Sequence, residues 1–135
     1  MKPKNLNMGA ALVLAAILGP ALNGCGMSSN RVLQSMTISP AIASAANSPD
    51  GKVQFKASGT FSKPPSPDVV TFVEPYSGSW EVSNPAVATI SQSGLAQCVA
   101  GASGTVDVIA IASANSAGPG AMSIAVRGMA KLTCP

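Results

Sequence analysis

The chain contains no histidine. That gap removes the commonest general base and the commonest metal ligand together. Aromatic residues are scarce, with three Phe, one Tyr and one Trp in 135 residues, so little is left for stacking nucleobases. Charge is thin as well. Lys2 and Lys4 fall at the very start, and beyond Cys25 the cations Arg31, Lys52, Lys56, Lys63, Arg127 and Lys131 oppose Asp50, Asp68, Glu74, Glu81 and Asp107, a net of +1. The sequence pI near 9.0 is therefore no sign of a nucleic-acid partner. There is no G-x-S-x-G elbow, no S-x-x-K dyad, no Walker or Rossmann glycine loop and no D-x-D-x-D-G calcium loop. The acids are scattered, and sequence order leaves open whether distant loops bring any of them together. The expectation is a non-enzymatic chain without cofactor or metal.

What is present begins with an export signal. Lys2 and Lys4 form a cationic start, and Ala10–Leu22 is an apolar run. That run is too short for a hydrocarbon layer of about 30 Å, which needs about 20 residues. It fits a cleaved signal. Leu22-Asn23-Gly24-Cys25 then resembles the lipobox of bacterial lipoproteins. The resemblance implies removal of residues 1–24, a diacylglycerol thioether on Cys25 and acylation of its new amine. Two or three chains anchor stably where one does not. The alternative is an ordinary signal cleavage with Cys25 incidental. Gly26 stands where an inner-membrane retention signal would place Asp, which favours the outer membrane of the cell envelope.

Residues 25–31 are expected to form the lipidated Cys and a short polar tether. The six residues after Cys25 reach roughly 20 Å at most, so the folded part, 32–135, sits close to the bilayer.

From Val32 onward the pattern is β. Val53, Phe55 and Ala57 alternate with Gln54, Lys56 and Ser58. Val106–Ala112 is apolar on nearly both faces, as a central strand would be. Further strands are expected at Leu33–Ser39, Val69–Val73, Trp80–Ser83, Val87–Ile90, Leu95–Ala100, Met122–Val126 and Ala130–Cys134. Pro49-Asp50-Gly51, Ser93-Gly94, Gly101–Gly104 and Gly118-Pro119-Gly120 supply turns between them. Ala41–Ala46 lies between Pro40 and Pro49, which leaves room for no more than one helical turn. Short strands at regular spacing predict an all-β sandwich or barrel.

Several runs are similar to the group 2 bacterial Ig-like domain of invasin- and intimin-type surface proteins. They are Met36-Thr-Ile-Ser-Pro40, Val53–Phe61, Trp80-Glu-Val-Ser-Asn-Pro-Ala-Val-Ala-Thr-Ile90, Ser93-Gly-Leu-Ala96, Gly104-Thr105 and Ala130-Lys-Leu-Thr133. The resemblance implies an Ig-like β-sandwich of about seven antiparallel strands with an adhesive or structural role, and no active site. The chain departs from the pattern in having one copy, a proline-rich loop at Lys63–Asp68 and a cysteine pair.

Three positions remain. Cys98 and Cys134 are the only thiols beyond Cys25, and export puts them in an oxidising compartment, so a disulfide is expected. A redox pair or a zinc site fits their spacing poorly. Trp80 is read as a core plug, with a carbohydrate platform as the alternative. Tyr76, in the loop before Trp80, is the best candidate for an exposed contact, unless it caps the edge of the fold. The expected partners are the membrane, through Cys25, and an envelope protein or polysaccharide. A structural subunit of an envelope assembly is the alternative.

Overall fold

In a computed structural model the chain is described at residues 31–73, 76–114 and 124–135. The signal segment, Cys25, most of the tether, Glu74, Pro75, the Gly118-Pro119-Gly120 turn and Met122 lie outside the described residues.

The described chain is all-β, and ten strand segments form three sheets. β1 (Leu33–Ser39), β4 (Lys56–Phe61) and β5 (Asp68–Val69) make the first. The second has four strands in the order β2 (Ile42–Ser44), β10 (Ala125–Cys134), β9 (Gly104–Ser113) and β6 (Gly78–Val82). β3 (Lys52–Gln54), β8 (Leu95–Cys98) and β7 (Ala88–Ile90) make the third. All pairings are antiparallel except one: β2 runs parallel to β10, with Ile42 opposite Lys131. The expectation of purely antiparallel strands is corrected at that point.

Ten segments replace the expected seven because two passages of chain change partners midway. Pro40 has no N–H to give a ladder, so β1 stops at Ser39 and the chain re-enters as β2 beside β10. The second change is at Phe55. Its N–H donates to the Gly94 carbonyl at 2.8 Å, extending the β3–β8 pairing. The next residue, Lys56, already pairs with Ser39 of β1. One run of chain thus belongs to two sheets.

Period-2 patterning decides what is buried. In β9, Val106, Val108, Ala110 and Ala112 point inward, and β9 lies between β10 and β6 as a central strand. β10 buries Ala130, Leu132 and Cys134 on the same face. β1 breaks the period, with Gln34 and Ser35 both exposed, and its register with β4 shifts between Leu33 and Ser35. The extra residue keeps Leu33 and Met36 both inward. These side chains join Phe55, Ala57, Phe61, Val70, Trp80, Ala88 and Ala96 in one core cluster drawn from all three sheets.

Two expected strands change their limits. The strand placed at Val69–Val73 shrinks to Asp68–Val69, because Phe72 turns to φ 56° and lays its ring edge-on against Trp80. The break placed before Ala130 is absent: β10 runs unbroken from Ala125 through Gly128. Gly128 is there for proximity, not for a turn. A Cβ on it would lie 3.1 Å from the Met36 carbonyl oxygen and 3.2 Å from Ile38, where β10 crosses β1. The alanine-rich segment holds one 3-10 turn, Ala45–Asn47.

Gly94 offers a test of the packing. It has φ 81°, and a Cβ there would press on the Phe55 carbonyl oxygen and stand 3.1 Å from the Trp80 ring. Gly101 has φ 76° with open space around it. Gly101→Ala carries only the left-handed penalty of about 1–2 kcal/mol. Gly94→Ala adds the clash, so its melting temperature by circular dichroism should fall further, by at least another ~5 °C. Equal melting temperatures would mean that the Phe55–Gly94 junction is not tightly packed.

Candidate interaction surfaces

At one end of the domain Arg31 stands just ahead of β1. Its guanidinium lies over the Phe61 ring, 3.6 Å from the centroid, and pairs with Asp68 at 3.2 Å. It also donates to the Lys63 carbonyl at 3.2 Å and to the Pro65 carbonyl. The proline-rich loop thus presents carbonyls to a cation that proline itself could not bind as a donor. Tyr76 completes the cluster. Its hydroxyl donates to the Arg31 carbonyl at 2.6 Å, and its half-buried ring packs against Phe61 with centroids 5.2 Å apart. This is the edge-capping arrangement. Sequence reasoning missed Arg31, because a single arginine before the first strand carries no local signal.

This end is shared by Ser77 and Ser113, whose backbones are joined at 3.0 Å, and by Ala125, which pairs with Ser113. β1 and β10 run side by side in the same sense, as the parallel β2–β10 pairing requires.

The cysteine pair lies at the opposite end. Cys98 closes β8 and Cys134 closes β10, with Cα atoms 5.8 Å apart and sulfurs at disulfide distance. That spacing is ordinary for a disulfide. The bridge joins the third sheet to the second, which no hydrogen-bond ladder does.

Trp80 is 7% exposed and sits in the core cluster, the core-plug arrangement. With Phe72 it lines a shallow groove of about 350 Å³ that opens between Thr71 and the Gln92-Ser93 turn. The Phe72 and Trp80 rings meet edge to face, 5.4 Å apart, and do not form one continuous flat platform.

The outer face of the four-stranded sheet is different. The inward residues of β9 and β10 are even-numbered, so Ile109, Ile111, Arg127, Met129 and Lys131 face out. Met129 stands opposite Ile109, Arg127 opposite Ile111, and Lys131 opposite Asp107. On the other flank Glu81 stands opposite Ile109 and Ser79 opposite Ile111. Ile42, beside Lys131, is 75% exposed and Met129 is 62% exposed, while Ile109 and Ile111 are half-buried. Lys131 and Asp107 form an ion pair at 3.0 Å. Arg127 and Glu81 have no ion-pair or hydrogen-bond partner among the described residues. Among the described residues no three His, Cys, Asp or Glu side chains gather closely enough to hold a metal.

No protein-family model matches the chain, and no curated protein matches it.

Replacing Cys98 and Cys134 together with Ser opens a link spanning 36 positions of sequence. The chain-entropy model gives such a link up to about 4 kcal/mol. The melting temperature of the double variant should drop by more than ~8 °C, at about 4–8 °C per kcal/mol for a domain of this size. A drop within ~2 °C, the effect of well under 1 kcal/mol, would show that the bridge adds little.

Proposed function

We propose that the chain is a lipid-anchored, non-enzymatic module of the bacterial cell envelope, held by acylated Cys25 to the outer rather than the inner membrane. Its folded part is read as an Ig-like β-sandwich of the group 2 bacterial type. The pairing pattern supports that reading. One layer is the four-stranded sheet, and the other is made by the two three-stranded sheets that share the run Lys52–Phe61. If the short segments are counted as parts of longer passages, the number of strands approaches the seven expected of such a domain.

The module works by binding. The observation that carries this is the outer face of the four-stranded sheet, where Ile42, Met129, Ile109 and Ile111 lie among Arg127, Lys131, Asp107 and Glu81. A flat aliphatic patch ringed by charge suits a protein surface. The aromatic rings that would favour a polysaccharide are spent inside, with Tyr76 capping the edge and Trp80 in the core. The same face suits the alternative role of structural subunit in an envelope assembly.

Two measurements test the reading. Intact-mass analysis of protein extracted from membranes should find a chain that begins at acylated Cys25, and Cys25→Ala should leave the membrane fraction. An unmodified N-terminus would sink the anchor. Crosslinking in intact envelopes should capture protein through the Met129–Ile109 face and not through β7. Capture of glycan alone would replace the protein partner with a polysaccharide.

A further inference from the structure

We infer that the outer face of the four-stranded sheet pairs with a second copy of this chain, about a two-fold axis running along β9, with both lipid anchors in one membrane. The inference rests on the binding role proposed above and names its partner.

The charge pattern selects the axis. On this face Arg127 lies on β10 and Glu81 on β6, with β9 between them. They are offset by one outward position, Arg127 beside Ile111 and Glu81 beside Ile109. Two strand spacings and one two-residue step separate them by about 12 Å, and neither has an ion-pair partner among the described residues of its own copy. A two-fold axis along β9 exchanges the flanks and keeps the rows. Ile109 and Ile111 then meet their own counterparts, as does Asp107, whose charge the Lys131 of its own copy offsets. The Glu81 side chain of the second copy lies over Met129, between Arg127 and Lys131. The pairing occurs twice by symmetry, as a closed dimer requires. A sheet-on-sheet angle of about 30° leaves these long side chains within reach.

The other simple in-plane axis, across the strands at Ile109, keeps the flanks and reverses the rows. It sets Arg127 against Lys131 of the second copy, cation on cation, and Asp107 against Ile111. Charge therefore favours one axis and opposes the other.

The tether selects the same axis independently. Arg31 enters the fold at the Ser113–Ala125 end of the sheet. With the axis along β9, both Arg31 residues sit at the same end. Both tethers of roughly 20 Å then reach one bilayer. With the axis across the strands, one Arg31 stands at the far end of β9. Ten residues of strand put it about 34 Å further away, beyond the tether's reach. Anchoring in one plane also raises the effective concentration, so a small interface suffices.

The test uses the full chain in the membranes of its host. In Ile109→Cys the new thiol is the only free one, with Cys25 acylated and Cys98–Cys134 bridged, and it lies on the axis. A short bismaleimide should link it to its own counterpart and give a band of twice the chain mass. Thr89→Cys, exposed on β7 of another sheet, should not link. Arg127→Glu should weaken the Ile109→Cys link about tenfold, and adding Glu81→Arg should restore most of it. A matching thermal melt establishes that each variant is folded. Linkage no stronger than at Thr89→Cys, or linkage indifferent to Arg127→Glu, overturns the dimer. Linkage to a different envelope protein overturns self-pairing and leaves the binding role standing. No linkage of any kind at Ile109→Cys overturns both.

Discussion

The domain depends on a thin core that must be held shut. Many of its inward positions are small: Ala57, Ala88, Ala96, Ala110, Ala112 and Ala130 are buried with little side chain to contribute. Phe55, Leu33, Leu132 and Val108 are the largest side chains fully enclosed. Each buried methylene contributes about 0.8 kcal/mol, so alanine faces add little cohesion even when perfectly packed. Small faces do allow the backbones to approach, as Gly128 shows at its crossing over β1. Close approach recovers dispersion contacts but leaves few large side chains to interlock. Two covalent features compensate. The Cys98–Cys134 bridge ties the second sheet to the third, and the run Lys52–Phe61 ties the third to the first. Together they link all three sheets through bonds that cannot slide.

The same economy explains where the polar chemistry is found. Among the described residues no polar or charged residue is buried. Nothing inside needs a partner, and nothing inside sets a register beyond shape. Specific polar contacts are displaced to the ends and to one face: Arg31 with its ring and carbonyls, and Lys131 with Asp107, while Arg127 and Glu81 stand on either side of β9, unpaired among the described residues. Arg31, ahead of β1, is held by Lys63, Asp68 and Tyr76.

Much of this was legible in the residue order, and the failures have common causes. β9 was readable because its apolar run is long and its neighbours on both sides hide it. The disulfide was readable by elimination, given three cysteines of which Cys25 closes the lipobox-like run. The strand at Val69–Val73 misled because a β-branched run fits a pleated sheet equally well until Phe72 finds a better place against Trp80. The gap left between Val126 and Ala130 closes because Gly128 serves a close crossing, which only the neighbouring strand reveals. The parallel β2–β10 pairing could not be read at all, since three residues carry no periodicity. The outer face was not legible: Val106–Ala112 reads as apolar on nearly both faces, and placing Glu81 beside Ile109 required the register between strands distant in sequence.

The Arg31 end also has a mechanical meaning. A load applied ahead of Arg31 would enter the fold along the direction of β1, parallel to the strand. Its bonds to β4 then lie across the pull, so they resist together in shear instead of opening one at a time. Just beyond, β2 lies alongside β10 in the same sense, so the pull reaches a second ladder in the same shear geometry. Failure under force is governed by the unfolding barrier and not by the equilibrium stability of a modest core. A domain with so many small inward residues can therefore still be strong along one line, the line of β1.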